Sequence, residues 1–345
     1  MAGEAQAGAP ALTCIKTQSQ TMFCFVLRDA RRSLAQTLSG RYLLLAAIGS
    51  AVLALAAAGC SASASGDVAG SQVINAIGAE NEYANVLSQI GGQYVHVSSI
   101  LDNPNTDPHA FEASASVARE VSGAQIIVQN GVGYDSFLNR IESAVPNSAR
   151  KVITVQHVLG LPSSTPNPHL WYRPDAMPAV ARAIATDLAK LQPAHAAYFR
   201  ANLTAFDRSL APWLTAIAQF KAKYPHAAVA TTEPVADYLL QAMGANNLTP
   251  LAFQVGVMNG VDPSPQDIAL VKSLFTEHKV RAFVYNQQVT DALTVSMRQA
   301  AVQAGVPVVG VYETMPAGYR YQSWMLAEVQ AIQRAVASKT STEKL

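Results

Sequence analysis

The hydrophobic positions of this chain change period several times. Gln72–Ile77, Tyr94–Leu101, Gln125–Val128 and Lys151–Val155 are short apolar runs. Their length and β-branched content predict strands, the first of them buried. Between them, Glu82–Ile90 has helical spacing and stops at Gly91-Gly92, and Ser114–Val121 and Tyr134–Val145 read as further helices. Strands that alternate with helices imply a parallel, doubly wound sheet.

Residues 174–224 break this rhythm. Pro174 opens a helical stretch that runs to about Leu191. Pro193 then stands where a second helix would begin, a position that proline suits. Helical spacing continues through Tyr198, Phe199, Leu203, Phe206, Leu210, Leu214, Ile217 and Phe220. About thirty helical residues reach roughly 45 Å, longer than a domain is wide, so this stretch predicts a connector between two domains. Pro212 lies inside it and predicts a kink.

After the connector the first rhythm returns. Strands are predicted at Ala227–Ala230, Leu248–Phe253, Val280–Tyr285 and Val306–Val311, and helices at Val235–Met243, Gln266–Glu277, Thr290–Ala304 and Tyr319–Ala337, with a Gly/Pro-rich loop at Gly256–Pro265. No residue-level repeat relates the two halves. The expected fold is α/β, with two doubly wound (β/α)4-like lobes, residues 71–192 and 225–345, joined by one long helix at 193–224.

The N-terminus has its own pattern. Arg28, Arg31, Arg32 and Arg41 precede an apolar run, Tyr42–Ala58, which ends at Gly59-Cys60 and the small-residue tract Ser61–Gly66. Basic residues, a short apolar core and small residues describe an export signal over residues 1–59. A single-pass anchor is the alternative, although the run is shorter than the roughly 20 residues that span a bilayer. The basic region is long for a signal, and Met22 is a second candidate start. Cys60 resembles a lipobox cysteine, with Ala57 where Leu is usual. Lipidation there would make residues 60–70 a flexible tether to the membrane. Cys14 and Cys24 would leave with the signal, so the folded part has no partner for a disulfide and no thiolates for a zinc site.

Composition excludes more than it identifies. The net charge is +1 and charged residues are only 14%, so there is no electrostatic footprint for nucleic acid. No Walker A pattern is present, which excludes a P-loop ATPase, and Gly131-x-Gly133 alone does not suggest a nucleotide.

Candidate chemistry lies at four points: His109, His169, Glu233 and Glu313. Each follows a predicted strand or lies in the loop after one, where open α/β sheets bind ligands. Two fall in each half, so a cleft between the lobes would gather them. Two imidazoles and two carboxylates suit a divalent first-row metal such as Mn, Fe, Co or Zn. A set filled by the protein, with no positioned base, suits holding an ion better than catalysis, and no enzyme activity is expected. Plainer roles stay open: a turn histidine at 109, a loop anchor at His169 with Trp171 and Tyr172, a helix cap at Glu233, an exposed loop acid at Glu313. Glu112 would orient His109 or favour the next helix start. His96, His195, His226 and His278 read as structural, and His157 as a weak spare ligand.

The motifs around these points carry a family resemblance. Asp107-Pro108-His109-x-Phe111-Glu112, Asn167-Pro168-His169-Leu170-Trp171, Tyr198-x-x-Asn202 and Ala304-Gly305-Val306-Pro307-Val308-Val309 resemble the zinc/manganese-type solute-binding lipoproteins of bacterial ABC transporters, over residues 72–337. The resemblance implies two α/β lobes on one rigid helix and one metal ligand from each of the four stretches. It also implies capture of Zn2+ or Mn2+, with Fe2+ admissible, and delivery to a membrane permease by a lipid-anchored monomer outside the cytoplasm. Two residues depart from the commonest family pattern. Glu233 replaces the His of many zinc receptors, and Glu313 the usual Asp. The rival expectations are an exported metallohydrolase, a surface adhesion lipoprotein with an incidental metal site, and a receptor for a metal chelate.

Overall fold

The computed structural model describes residues 73–105, 108 and 111–345. The expected signal at 1–59, Cys60, the tether at 60–70 and His109 lie outside the described residues.

The first sheet is built from β1 (Ile74–Glu80), β2 (Val95–Leu101), β3 (Ile126–Gln129) and β4 (Lys151–Thr154), with helices α1 (Asn81–Gly91), α2 (Ala115–Gly123) and α3 (Ser136–Ala144) between them. Its order is β2-β1-β3-β4, and every pairing is parallel. A short α4 (Val155–Val158) follows β4 directly, and α5 (Ala176–Leu191) packs back onto β4 and α1. The second sheet contains β5 (Ala228–Thr231), β6 (Asn246–Asn247), β7 (Ala282–Asn286) and β8 (Val308–Val311) in the order β6-β5-β7-β8, again parallel. Its helices are α8 (Asp237–Ala242), α9 (Leu251–Met258), α10 (Pro265–Thr276), α11 (Ala292–Gln303) and α12 (Tyr321–Ser338), the connector supplying α6 (Ala196–Ser209) and α7 (Ala211–Lys223). β3, β7 and β8 are buried along their whole length, as strands covered on both faces must be.

Both sheets reverse winding direction between their first and third strands, so each has its topological switch point at a matching place. At the first one, β1 runs into α1 without a loop. Gly78 permits this: a Cβ there would lie 2.2 Å from the Ala84 backbone nitrogen.

The connector differs from the single helix expected at 193–224. It is a 3-10 turn at Pro193–His195 followed by α6 and α7, which meet at Leu210. Pro212 explains the interruption, since it has no N–H for the Arg208 carbonyl and its ring crowds that turn. The first half buries Phe199 and Phe206 and packs on α1 and α5; the second buries Trp213, Ile217 and Phe220 and packs on α12. One apolar cluster therefore runs from Ile74 on β1 through the connector to Val336 on α12.

The strand expected at Leu248–Phe253 is not formed. The strand there is the two-residue Asn246–Asn247, paired with β5, and Leu251–Met258 is helical, started by Pro250 and burying Phe253 and Val257 four residues apart. An apolar run this short fits either period.

Glu328 of α12 sits inside the shared core. Its Oε1 accepts from Trp324 Nε1 at 2.9 Å and lies 3.4 Å from the Tyr172 hydroxyl. Burial is the main cause that lifts it from an ordinary value of 4.5 to about 8, opposed by these two hydrogen bonds. The folded protein thus holds this proton more tightly than the unfolded chain does. The resulting stability is fully present below the unfolded value and is lost as pH rises through about 8. Glu328→Gln keeps the shape and cannot ionise. Melting temperatures of the variant and the parent should converge near about pH 5 and separate in favour of Gln by about pH 9, a difference on the order of 4 kcal/mol at full ionisation.

Candidate metal centre

The second lobe places its chemistry through strand order. β7 lies between β5 and β8. Glu233 follows β5, Asn286 ends β7 and Glu313 follows β8, so the asparagine falls between the two acids. Its Nδ2 donates to Glu313 Oε1 at 2.7 Å and to Glu233 Oε2 at 3.3 Å. The amide is itself fixed: the Asn286 backbone N–H donates to Thr232 Oγ1 at 3.0 Å, and Oδ1 accepts from the Gln288 N–H at 3.0 Å. Gln288 Oε1 in turn accepts from the backbone N–H groups of Glu313 and Thr314 at 2.7 and 2.8 Å. Glu233 and Glu313 are 2% and 0% exposed.

The first lobe brings His169, also fully buried, from the loop after α4. Asn167 Oδ1 accepts from the His169 backbone N–H at 3.0 Å and lies 2.8 Å from Nδ1. An amide oxygen only accepts, so Nδ1 carries the proton and Nε2 is the nitrogen turned to the site. Nε2 lies 3.2 Å from Glu313 Oε2. Asn167 also reaches the second lobe: its Nδ2 donates to the Pro234 carbonyl at 2.7 Å, and its own carbonyl accepts from Tyr238 Oη at 2.9 Å.

Tyr134 completes the contact across the cleft, donating its hydroxyl to Glu313 Oε2 at 2.9 Å. Its ring meets His169 and Trp171 edge-on. The turn before it is unusual, since Gly131, Val132 and Gly133 all have positive φ, at 82, 55 and 81°. A β-branched residue in the left-handed region is strained, and such strain persists only where the surroundings enforce it. Here the Asp135 carboxylate accepts from the backbone N–H groups of Asn130 and Gly131, and Gln156 Oε1 from that of Val132.

Below this layer lie two more acids. Glu80 and Glu82 flank the β1–α1 junction at 1% and 0% exposure, and among the described residues no side-chain donor reaches their carboxylate oxygens. Burial, chiefly, pushes both well above the ordinary carboxylate range, with Asp135 adding to the shift of Glu80 and Glu313 to that of Glu82. Asn81 between them clamps the Met315 backbone, donating to its carbonyl at 2.8 Å and accepting from its N–H at 2.9 Å.

Of the four residues singled out in the sequence, His169 and Glu313 meet directly, and Glu233 is joined to Glu313 through Asn286. Among the described residues, no three His, Cys, Asp or Glu side chains are drawn together closely enough to form a metal set by themselves. His109 lies outside the described residues, but its neighbour Pro108 is buried and lines a cavity of about 220 Å³ together with Leu101, Phe111 and Thr314, the residue after Glu313. Glu112 is exposed, as are His157 and His96, while His195 stacks on Tyr94 at 3.7 Å. Sequence reasoning missed Asn286, Gln288 and Tyr134. Only Tyr134 had a local signal, the Gly-x-Gly before it.

Buried carboxylates facing an imidazole nitrogen form an acceptor-rich pocket that a divalent cation would neutralise. Comparisons with known proteins agree in kind. The solved structure of ZnuA is 23% identical over 77% of this chain and all of that one, with a TM-score of 0.64. The periplasmic zinc-binding protein TroA of Treponema pallidum is 19% identical over 77% of this chain and 99% of its own, with a TM-score of 0.65. The solute-binding protein FpvC of Pseudomonas aeruginosa, solved with Mn2+, is 22% identical over 78% of this chain and 99% of its own, with a TM-score of 0.63. The profile of the family described as zinc-uptake complex component A, periplasmic (ZnuA), matches residues 79–335. The chain belongs to the ZnuA family.

Proposed function

We propose that this chain captures a divalent transition-metal ion, zinc or manganese with Fe2+ also admissible, outside the cytoplasm and delivers it to the permease of an ABC importer. The observation that carries this reading is the buried meeting of His169 Nε2, Glu313 and the Asn286-bridged Glu233 at the carboxyl ends of the strands. Family membership supports it, as does the chemistry of relatives whose descriptions include zinc uptake, zinc binding and a bound Mn2+. His109, His169, Glu233 and Glu313 would hold the ion. The reading takes residues 1–59 as an export signal, Cys60 as the lipidated residue and 60–70 as the tether. It takes 71–192 and 225–345 as the lobes, 193–224 as the connector, and the chain as a monomeric binding protein rather than an enzyme. Among the described residues no helix is long and apolar enough to cross a membrane.

The residues present would act as follows. Asn167 fixes the His169 tautomer, so Nε2 is presented as the ligand. Glu233 and Glu313 cancel the two charges of the ion. The direct contact between His169 Nε2 and Glu313 Oε2 is the one that an entering ion would take over.

Metal-stripped protein should melt at a higher temperature with added Zn2+ or Mn2+, by roughly 2.7 kcal/mol of stabilisation at a hundredfold excess over Kd, with saturation at about one ion per chain. His169→Ala should abolish most of that shift, and no shift with either ion overturns the reading. A second expectation concerns Asn167. Asn167→Ala removes the acceptor at Nδ1 and should weaken binding roughly 10–100-fold. Asn167→Asp keeps that acceptor, replaces the donor to Pro234 with a carboxylate oxygen, and should retain more of the affinity than Asn167→Ala. Titration calorimetry on the two variants decides this.

A further inference from the structure

A cavity at the amino ends of β7 and β8 lies at the opposite end of the second sheet from Asn286 and Glu313. It measures about 320 Å³ and is lined by His278, Arg281, Lys339 and the turn of Gly305, Val306 and Pro307. We propose that it is a ligand site in its own right, one that binds a phosphate-type oxyanion through the Arg281 guanidinium, the Lys339 ammonium and the His278 ring.

Strand order brings these residues together. β7 and β8 are parallel neighbours, so the segment that leads into β7, with His278 and Arg281, lies beside the one that leads into β8. α12 packs back along both strands and ends at Ser338, which returns Lys339 to the same end. Two cations and an imidazole thus meet where none of the described lining residues is acidic. Lys223 adds to the field, since it and Arg281 lie over the same Tyr224 ring, at 5.4 and 5.7 Å. General basicity is not the cause, because the net charge of the chain is only +1. Neutralisation by neighbours is absent too. Lys279, on the same loop, pairs with Glu277 at 2.7 Å, whereas Arg281 and Lys339 form no ion pair among the described residues.

Helix ends offer a plainer use for basic side chains, since cations are favoured beside the last carbonyls of a helix. That use does not account for the placement here. His278 and Lys339 close α10 and α12 through their backbone N–H groups, which donate to the carbonyls of Phe275 and Ala335 at 3.0 and 3.1 Å. Both residues have positive φ, at 51 and 54°, and Gly305 has the matching position after α11 at 70°. Glycine takes this conformation freely, whereas a lysine there costs more than the helix dipole returns at an exposed position. At Lys339 the chain carries a side chain where the helix alone is better served by glycine.

A tetrahedral oxyanion suits the set. The guanidinium can grip two oxygens through parallel N–H groups, and the ammonium brings a compact charge from a separate element. The imidazole supplies a further N–H donor. The volume leaves room for a group attached to the phosphate. That group is either a small soluble moiety or a lipid.

The test is titration calorimetry of inorganic phosphate into the metal-stripped full chain at constant ionic strength. The parent should bind about one phosphate per chain with a Kd below about 1 mM. Arg281→Gln and Lys339→Gly should each weaken binding by about tenfold or more, the loss expected for one charge-assisted hydrogen bond. Lys339→Gly removes the charge and suits the backbone conformation, so its melting temperature should not fall and its loss of binding is not a loss of fold. Lys279→Gln removes a cation that already has a partner and should leave phosphate binding unchanged. Flotation with phosphatidylglycerol and with phosphatidylcholine vesicles separates the two sources. An excess on the anionic vesicles that free phosphate displaces and Lys339→Gly abolishes assigns the site to a lipid headgroup. Equal flotation assigns it to a soluble phosphate. A parent that binds no phosphate overturns the inference. So do equal binding by the parent and both cavity variants, the same loss in Lys279→Gln, or a response that chloride reproduces at the same ionic strength. Metal binding is measured separately, at the other end of the lobe, so either site can fail alone.

Discussion

Two carboxylates buried beside each other repel, and at low dielectric that repulsion is costly unless donors or a cation answer it. Glu233 and Glu313 are in this position at the carboxyl ends of β5 and β8. Much of the surrounding structure is an arrangement of donors that makes the pair tolerable. Asn286 gives one hydrogen to each, Tyr134 gives its hydroxyl to Glu313, and Gln288 holds the backbone on which Glu313 stands. The strained φ of Val132 belongs to the same arrangement, since the turn it occupies leads straight into Tyr134.

These donors come from both lobes, which makes the site part of the seam between them. The segment from Tyr312 to Gln322 belongs to the second lobe by sequence but is tied to the first at several points. Tyr172 holds the Tyr312 carbonyl, Tyr134 holds Glu313, Asn81 clamps Met315, Asn85 holds the Tyr321 N–H and Gln89 meets Gln322. On the Glu233 side, Asn167 is tied to Pro234 and to Tyr238, and the Arg173 guanidinium lies over the Tyr238 ring. The continuous apolar cluster through the connector adds to the Glu313 side, where Trp213 meets Tyr321 edge-on.

Much of this was legible in the sequence because parallel strands buried on both faces write themselves as short apolar runs, and ligand-binding loops follow their carboxyl ends. That reasoning placed His169, Glu233 and Glu313 beyond strands, where the structure has the first and third in contact. The interruption of the connector was legible from Pro212. What periodicity does not encode is which strands are neighbours. Asn286 looks like any polar residue at the end of an apolar run until β7 is known to lie between β5 and β8. The misplaced strand at Leu248–Phe253 has a different cause: six apolar-rich residues cannot distinguish a period of 2 from one of 3.6, and Pro250 starts a helix there as readily as it ends a strand.

The acids beneath the site bear on how tightly a cation would be held. If Glu80 and Glu82 were ionised along with Glu233 and Glu313, four negative charges would face a divalent ion in a dry pocket. A carrier has to release what it captures, and such an excess would oppose release. Burial, chiefly, drives Glu80 and Glu82 toward the neutral form, with Asp135 and Glu82 adding to the shift of Glu80 and Glu313 to that of Glu82, while backbone N–H groups, that of Met315 among them, oppose it. The burial of Glu80 and Glu82 thus limits the negative field at the site, just as the donors around Glu233 and Glu313 shape it.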